Sequence, residues 1–241
     1  MRDLFIGPVF LLQGFRLLAR PGLRRFVMGP LLVNLVLFAG LLYQASDWIR
    51  AAVGWLLSRL PDFLQWLGIL LVPLFWLLAL VVVFYSFSLI ANFIGAPFNG
   101  LLAEAVEAQL GGRTSEVGWK AVLKDVPQAL AAELRKLVYF GLRALPLLLL
   151  MWIPVVNVPA GALWLLFSAW MMCIQYMDYP MGNHRLFFAD QRACLRRRPL
   201  LAWSFGAAVM LATLVPVVNF AVMPAAVVGA TLLWVRELKP S

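Results

Sequence analysis

Three arginines crowd one Pro-Gly break in Arg20-Pro21-Gly22-Leu23-Arg24-Arg25-Phe26, and from Phe26 to Ser46 the chain then carries no charge. Guanidinium groups hold oxyanions through paired N–H donors. A helix starting just after the break adds unpaired backbone N–H groups and the positive end of its dipole. The same arginines equally suit a membrane helix anchored at anionic headgroups, and position alone favours that anchor. A second chemical pair, Glu104 and Glu107, stands three apart on a short helical stretch that ends at Gly111-Gly112. Paired carboxylates can do acid–base work, but no nucleophile or metal ligand accompanies these. They read as a solvated face able to tune a pore entrance by pairing with arginines.

Other catalytic chemistries are thinly supplied. His184 is the only histidine, which excludes HExxH and every mechanism needing two imidazoles. Cys173 and Cys194 are the only cysteines and match no disulfide framework or metal spacing. No GxxxxGK[ST] loop is present, so hydrolysis of ATP by that route is excluded. The expectation is a protein that is not an enzyme and needs neither metal nor cofactor. His184 reads as a surface residue, and Asp178 with Arg185 as a structural pair around the Tyr-Pro-Met-Gly turn. Arg196-Arg197-Arg198 reads as a headgroup anchor.

The elements that must position these residues follow from hydropathy. The 241 residues are 63% hydrophobic and only 13% charged, too apolar to cover a water-soluble globule. The chain is therefore expected to be an all-α integral membrane protein. Its nine excess positive charges flank apolar runs instead of forming a stripe with interleaved aromatics, which argues against nucleic acid. The N-terminal stretch is broken by Gly7-Pro8 and does not read as a cleaved signal peptide. Residues 1–20 suit an interfacial helix, with Phe5, Val9, Leu12 and Phe15 near one face and Arg16 and Arg20 on another.

Transmembrane helices are expected at 26–46 and 66–92, each near the ~20 residues that span ~30 Å of hydrocarbon. Asp47 to Asp62 reads as a short amphipathic connection. The Gly/Pro/Asn cluster of ANFIGAPFNG, residues 91–100, predicts a break after the second span. From Glu116 an amphipathic helix carries Lys120, Lys124, Lys136 and other charges on its polar side. Two helical hairpins, 116–178 and 199–236, share a weak repeat, LLLLMWIPVVN and LATLVPVVN, with turns at Pro-Val-Val-Asn. Neither turn is charged. The first ascending apolar run, Ala144 to Ile153, covers only about 15 Å, which predicts partial penetration, and the second hairpin admits either depth. No charge lies deep in a span, so a pore would rely on polar atoms such as Asn34, Ser86, Ser88 and Asn92, with Asn34 read as a helix–helix hydrogen bond.

The loop PGLRRF, the break IGAPFNGLLAEAVE, the paired PVVN turns and QYMDYPMGNHRLFFADQRACLRRRPLLAWSFG (175–206) together resemble the CysZ sulfate permease family, related to the etoposide-induced membrane proteins. The resemblance covers nearly the whole chain and rests on the order and spacing of these stretches. It implies a bacterial inner-membrane protein that admits sulfate, and by extension sulfite, for cysteine synthesis. It also implies two long transmembrane helices with two partly inserted hairpins, assembled as a homo-oligomer, a hexamer. The family's GLR sulfate motif falls on Gly22, Leu23 and Arg24, with Arg25 beside it. In that role Gly22 and Leu23 are expected to present amides, and Arg24 and Arg25 guanidinium forks.

The lipid bilayer is the other partner, and the charge bias predicts cytoplasmic termini if the hairpins return to the side they left. The absence of an intramembrane carboxylate favours passive, ATP-independent flow. The rival expectation is a structural hairpin protein that shapes the membrane, with half-inserted helices acting as wedges.

Overall fold

A computed structural model describes residues 2–20, 22–59, 61, 66–111 and 119–239, with backbone only at 31, 86–97, 119–126, 129 and 220. Pro21, Gly112 and the start of the amphipathic stretch at Glu116 lie outside the described residues. Every element among them is helical: α1 Arg2–Leu18, α2 Arg25–Leu57, α3 Gly68–Gln109, α4 Trp119–Leu150, α5 Asn157–Gly182, α6 Phe188–Arg196, α7 Pro199–Thr213 and α8 Pro216–Leu233, the last continued by a π-helical turn, Trp234–Leu238. Among the described residues four stretches are long and apolar enough to cross a membrane, Arg25–Leu57, Gly68–Tyr85, Asn157–Gly182 and Ala221–Leu238. The chain divides into two compact units, Met1–Arg24 with Asn99–Ser241, and Arg25–Phe98.

In the larger unit α1 lies against α7 and α8, while α5 packs on α7 and α8 and also contacts α4. The core is built from Phe10 and Leu11 of α1, Cys173, Ile174 and Met177 of α5, Phe205 and Val209 of α7, and Val222, Ala225 and Ala226 of α8. Apolar helices have little hydrophobic reason to prefer each other over lipid, so they associate by close packing over small residues. Gly206 of α7 shows the requirement: a Cβ there would sit 1.7 Å from the Ala169 carbonyl oxygen of α5. Gly14 of α1 is similar, its hypothetical Cβ 2.1 Å from the Ala225 oxygen of α8.

The apolar stripe expected on α1 is its outer face, since Phe5, Val9 and Leu12 are exposed while Gly7, Phe10, Leu11, Gly14 and Leu18 are buried. Helical periodicity detects large apolar side chains and overlooks a glycine seam, so the packing face went unseen. Two helix pairs turn at or just before the repeated Pro-Val-Val-Asn: the first repeat lies in its turn up to Asn157, whereas the second, Pro216 to Asn219, is already the first turn of α8. The first turn joins α4 to α5 with Val155 at φ 71°, and the second joins α7 to α8 across Leu214 and Val215. Trp152 at the first tip is 88% exposed and Val217 at the second 83%. With 15 residues, α7 is about 22 Å long at the helical rise.

In the smaller unit, among the described residues, α2 and the first part of α3 bury only Ala45, Ile49, Val53 and Val83, and leave most of their Leu, Val and Trp side chains outward. A small apolar hollow lined by Leu42, Ala45, Pro73, Trp76 and Leu80 lies between them. Asn34 does not make the expected helix–helix bond among the described residues; its Oδ1 is buried without a partner.

Two boundaries differ from those expected. The stretch read as a connection from Asp47 is helical to Leu57 as part of α2. The break read at residues 91–100 is absent from the backbone, because α3 runs unbroken from Gly68 to Gln109. Glycine and proline often end helices in water but are tolerated inside apolar ones, where neighbouring groups and small local adjustments re-satisfy the freed backbone. The side chains of Ser86, Ser88 and Asn92 lie outside the described residues.

Candidate anion site

The Arg20–Arg25 loop is set by backbone geometry before any charge is considered. Gly22 has φ +98°, a left-handed conformation that costs other residues energy. Leu23 turns inward, and its side chain is fully buried. Its N–H donates to the Arg20 carbonyl at 3.4 Å, so this amide closes the turn instead of facing a ligand as the sequence suggested. The free amides come one step later. The helix α2 begins at Arg25, and the first turn of any helix leaves four N–H groups without intrahelical acceptors.

The two expected arginines are exposed and held differently. Arg24 Nε donates to the Ala19 carbonyl at 2.8 Å, which fixes the guanidinium while leaving its terminal nitrogens outward. Arg25 lies over the Phe26 ring at 4.9 Å from the centroid. Among the described residues no carboxylate pairs with Arg20, Arg24 or Arg25. A positioned guanidinium fork, as at Arg24, and a helix start with its own cation, as at Arg25, are each features able to offer charge and directional donors to an oxyanion.

Glu104 and Glu107 are not a matched pair. Glu104 is half-buried, whereas Glu107 is 2% exposed and accepts from Lys239 Nζ at 2.7 Å, with His184 Nε2 at 2.9 Å from both its oxygens. His184 is therefore engaged with a buried carboxylate and stacked obliquely near Trp234, not a plain surface residue. These contacts tie α3 to the loop after α5 and to the C-terminal segment.

Sequence reasoning missed two further clusters. Arg198, read as a headgroup anchor, joins Asp3 Oδ1 and Glu237 Oε2, each at 2.5 Å. The Arg198 hydrogen bond holds the Asp3 carboxyl below its ordinary range, outweighing the opposing effect of burial. Lys136, assigned to a polar face, is 6% exposed and contacts Asp178 at 2.7 Å and Glu133 at 2.8 Å. Gln191, fully buried, donates to Asp178 Oδ1 and to the Leu186 carbonyl. Lys136 and Gln191 are thus among the partners of Asp178. The usable signal was scarcity: 11 carboxylates among 20 basic residues in so apolar a chain are spent where burial demands a counter-charge.

Among the described residues no His, Cys, Asp and Glu group could hold a metal ion, and both cysteines are free. A family model described as Sulfate transporter CysZ/Etoposide-induced protein 2.4 matches residues 10–224. A protein of Pseudomonas fluorescens named Sulfate transporter CysZ is 48% identical over 233 residues, covering 96% of this chain and 93% of its own. Proteins of the same name from Pectobacterium atrosepticum and Salmonella typhimurium are 49% and 46% identical, covering 97% and 95% of this chain and 86% and 91% of their own.

Proposed function

This chain belongs to the sulfate transporter CysZ/etoposide-induced protein 2.4 family, and from that membership we propose that it carries sulfate across a bacterial inner membrane, with the Gly22–Arg25 loop as the ion's first stop. The relatives are named as transporters, not enzymes. The observation that supports the loop most directly is its exposed, uncompensated arginines beside the start of α2. Sulfate is a dianion with four acceptor oxygens, and leaving water costs it many kcal/mol unless charge and hydrogen bonds replace hydration. Arg24 and Arg25 supply forks, the first turn of α2 supplies amides, and Gly22 and Leu23 set the turn that presents them.

An open site of this kind binds moderately, which permeation requires, because a tight site would stop release. Glu104 is the carboxylate left to tune a pore entrance, while Glu107 holds the helix that carries it. Flow is passive and independent of ATP, and the sulfate admitted, with sulfite as a second oxyanion, feeds cysteine synthesis. Both termini face the cytoplasm, where the basic residues concentrate. The α4–α5 and α7–α8 hairpins enter the bilayer partway: the apolar run ascending from Ala144 to the first tip and the 15-residue α7 each fall short of a ~30 Å core, and this limits how deep their longer partners α5 and α8 reach. Their apolar outer faces then meet other copies in a homo-oligomer, taken as a hexamer, as well as lipid.

Flux of labelled sulfate into proteoliposomes without ATP tests this reading, with sulfite and phosphate as competitors. Sulfate entry blocked by Arg24→Ala with Arg25→Ala supports it. Liposomes that change shape or size with the protein but pass no anion would instead favour the membrane-shaping role, to which the exposed hairpin tips at Trp152 and Val217 also lend themselves.

A further inference from the structure

A groove of about 710 Å³ runs along the first hairpin and is lined by α4, α5, the end of α6 and the start of α7. Its walls divide by chemistry. Pro146, Leu147, Leu163 and Leu166 are wholly apolar, while Arg143 and Arg196 bring two guanidinium groups, accompanied by Tyr139, Trp170 and Trp203. On α4, Arg143 is the last charge before the uncharged run into the hairpin tip, so it marks the level at which the helix leaves the polar zone. Tryptophan and tyrosine collect at that same level in membrane proteins. The Arg143 guanidinium lies over the Tyr139 ring, 3.7 Å from its centroid, and Nη1 donates to the Tyr139 carbonyl at 3.3 Å. Neither Arg143 nor Arg196 pairs with a carboxylate among the described residues. The Trp170 indole N–H likewise has no acceptor among them.

We propose that this groove is a binding site for one anionic phospholipid, with an acyl chain along Leu147, Leu163 and Leu166 and the phosphate between Arg143 and Arg196. The occupant must be apolar along one end and anionic at the other, and charge complementarity selects the lipid over an apolar helix of a second copy. Two cations within one groove give the site headgroup selectivity, which ordinary boundary lipid lacks. The site is separate from the Arg24–Arg25 loop and stands or falls without it.

Native mass spectrometry of the full-length protein in detergent, titrated with palmitoyl-oleoyl phosphatidylglycerol or the matching phosphatidylcholine, tests the site. The anionic lipid is expected to add once per chain, at concentrations about tenfold or more below the zwitterionic one, from two arginine contacts. Arg143→Ala with Arg196→Ala abolishes that preference, whereas exposed Arg135→Ala with Arg197→Ala preserves it. Leu166→Trp, which fills the apolar trough and leaves both arginines, weakens binding of either lipid. Equal binding of the two lipids by the unaltered protein overturns the proposal without reference to any variant. So does a lipid-free groove bridged between copies, seen as cross-linking through Leu163→Cys.

Discussion

Arg198 and Arg24 occupy the same kind of position, each directly ahead of an apolar helix within a run of arginines, and they meet opposite surroundings. Arg198 is half-buried and joins Asp3, 195 residues away in sequence, to Glu237 near the other end of the chain. Arg24 is exposed, donates to the nearby Ala19 carbonyl, and has no carboxylate partner among the described residues. One arginine closes the fold and the other stays open to an outside anion. The local sequence signature is the same in both, and the difference is whether a distant carboxylate reaches it.

The largest effect should come from the packing that seats the helix after Arg198. Gly206→Ala forces a methyl into the Ala169 carbonyl and is expected to cost about 3 kcal/mol or more, read as a lower melting temperature in detergent. Gly40→Ala on α2, where nothing lies within 4 Å, should be neutral or slightly stabilising. Equal losses at the two glycines would erase the contrast between a closed and an open region.

Arg198→Ala comes next. It strands two carboxylates and should destabilise by about 2 kcal/mol, less than a fully buried pair because the site is partly exposed. Sulfate affinity of the folded fraction should be unchanged. Arg24→Ala with Arg25→Ala should invert that result: sulfate binding by isothermal calorimetry falls about 10- to 30-fold, the loss of charge-assisted donors, and the melting temperature stays level. A stability loss without a binding loss in this double variant would make the loop an anchor only.

The smallest effect is acid sensitivity. Asp3 has its folded pKa below its ordinary value of 3.8, mainly through the Arg198 hydrogen bond. Its contribution is therefore fully present above that value and is lost as pH falls through the lower, folded one. Melting temperature should show this share only in the most acid part of a titration, and Asp3→Asn should remove it.

Much of the fold was legible because hydropathy acts locally. A long uncharged run has to be an apolar helix, and a Pro-Val-Val-Asn break between two such runs marks the neighbourhood in which the chain reverses. The cationic loop was legible for the same reason, being six contiguous residues beside a helix start. The limits of α2 and α3 were not: charges at Asp47 and Arg50 do not stop a helix, and α3 carries within it the glycine and proline that end helices in water. Glu107 was misjudged because its spacing from Glu104 says nothing about Lys239, which lies 132 residues on.

Composition and periodicity alone thus determined an α-helical membrane chain with an arginine-rich turn ahead of its first long helix. Tertiary structure decided which charges are free. Ion pairs form between groups that the fold brings within a few ångströms, whatever their separation in sequence. A buried charge must find such a partner, whereas an exposed one need not. That asymmetry closes Arg198, Lys136 and Glu107 into the protein and leaves Arg24 and Arg25 facing out.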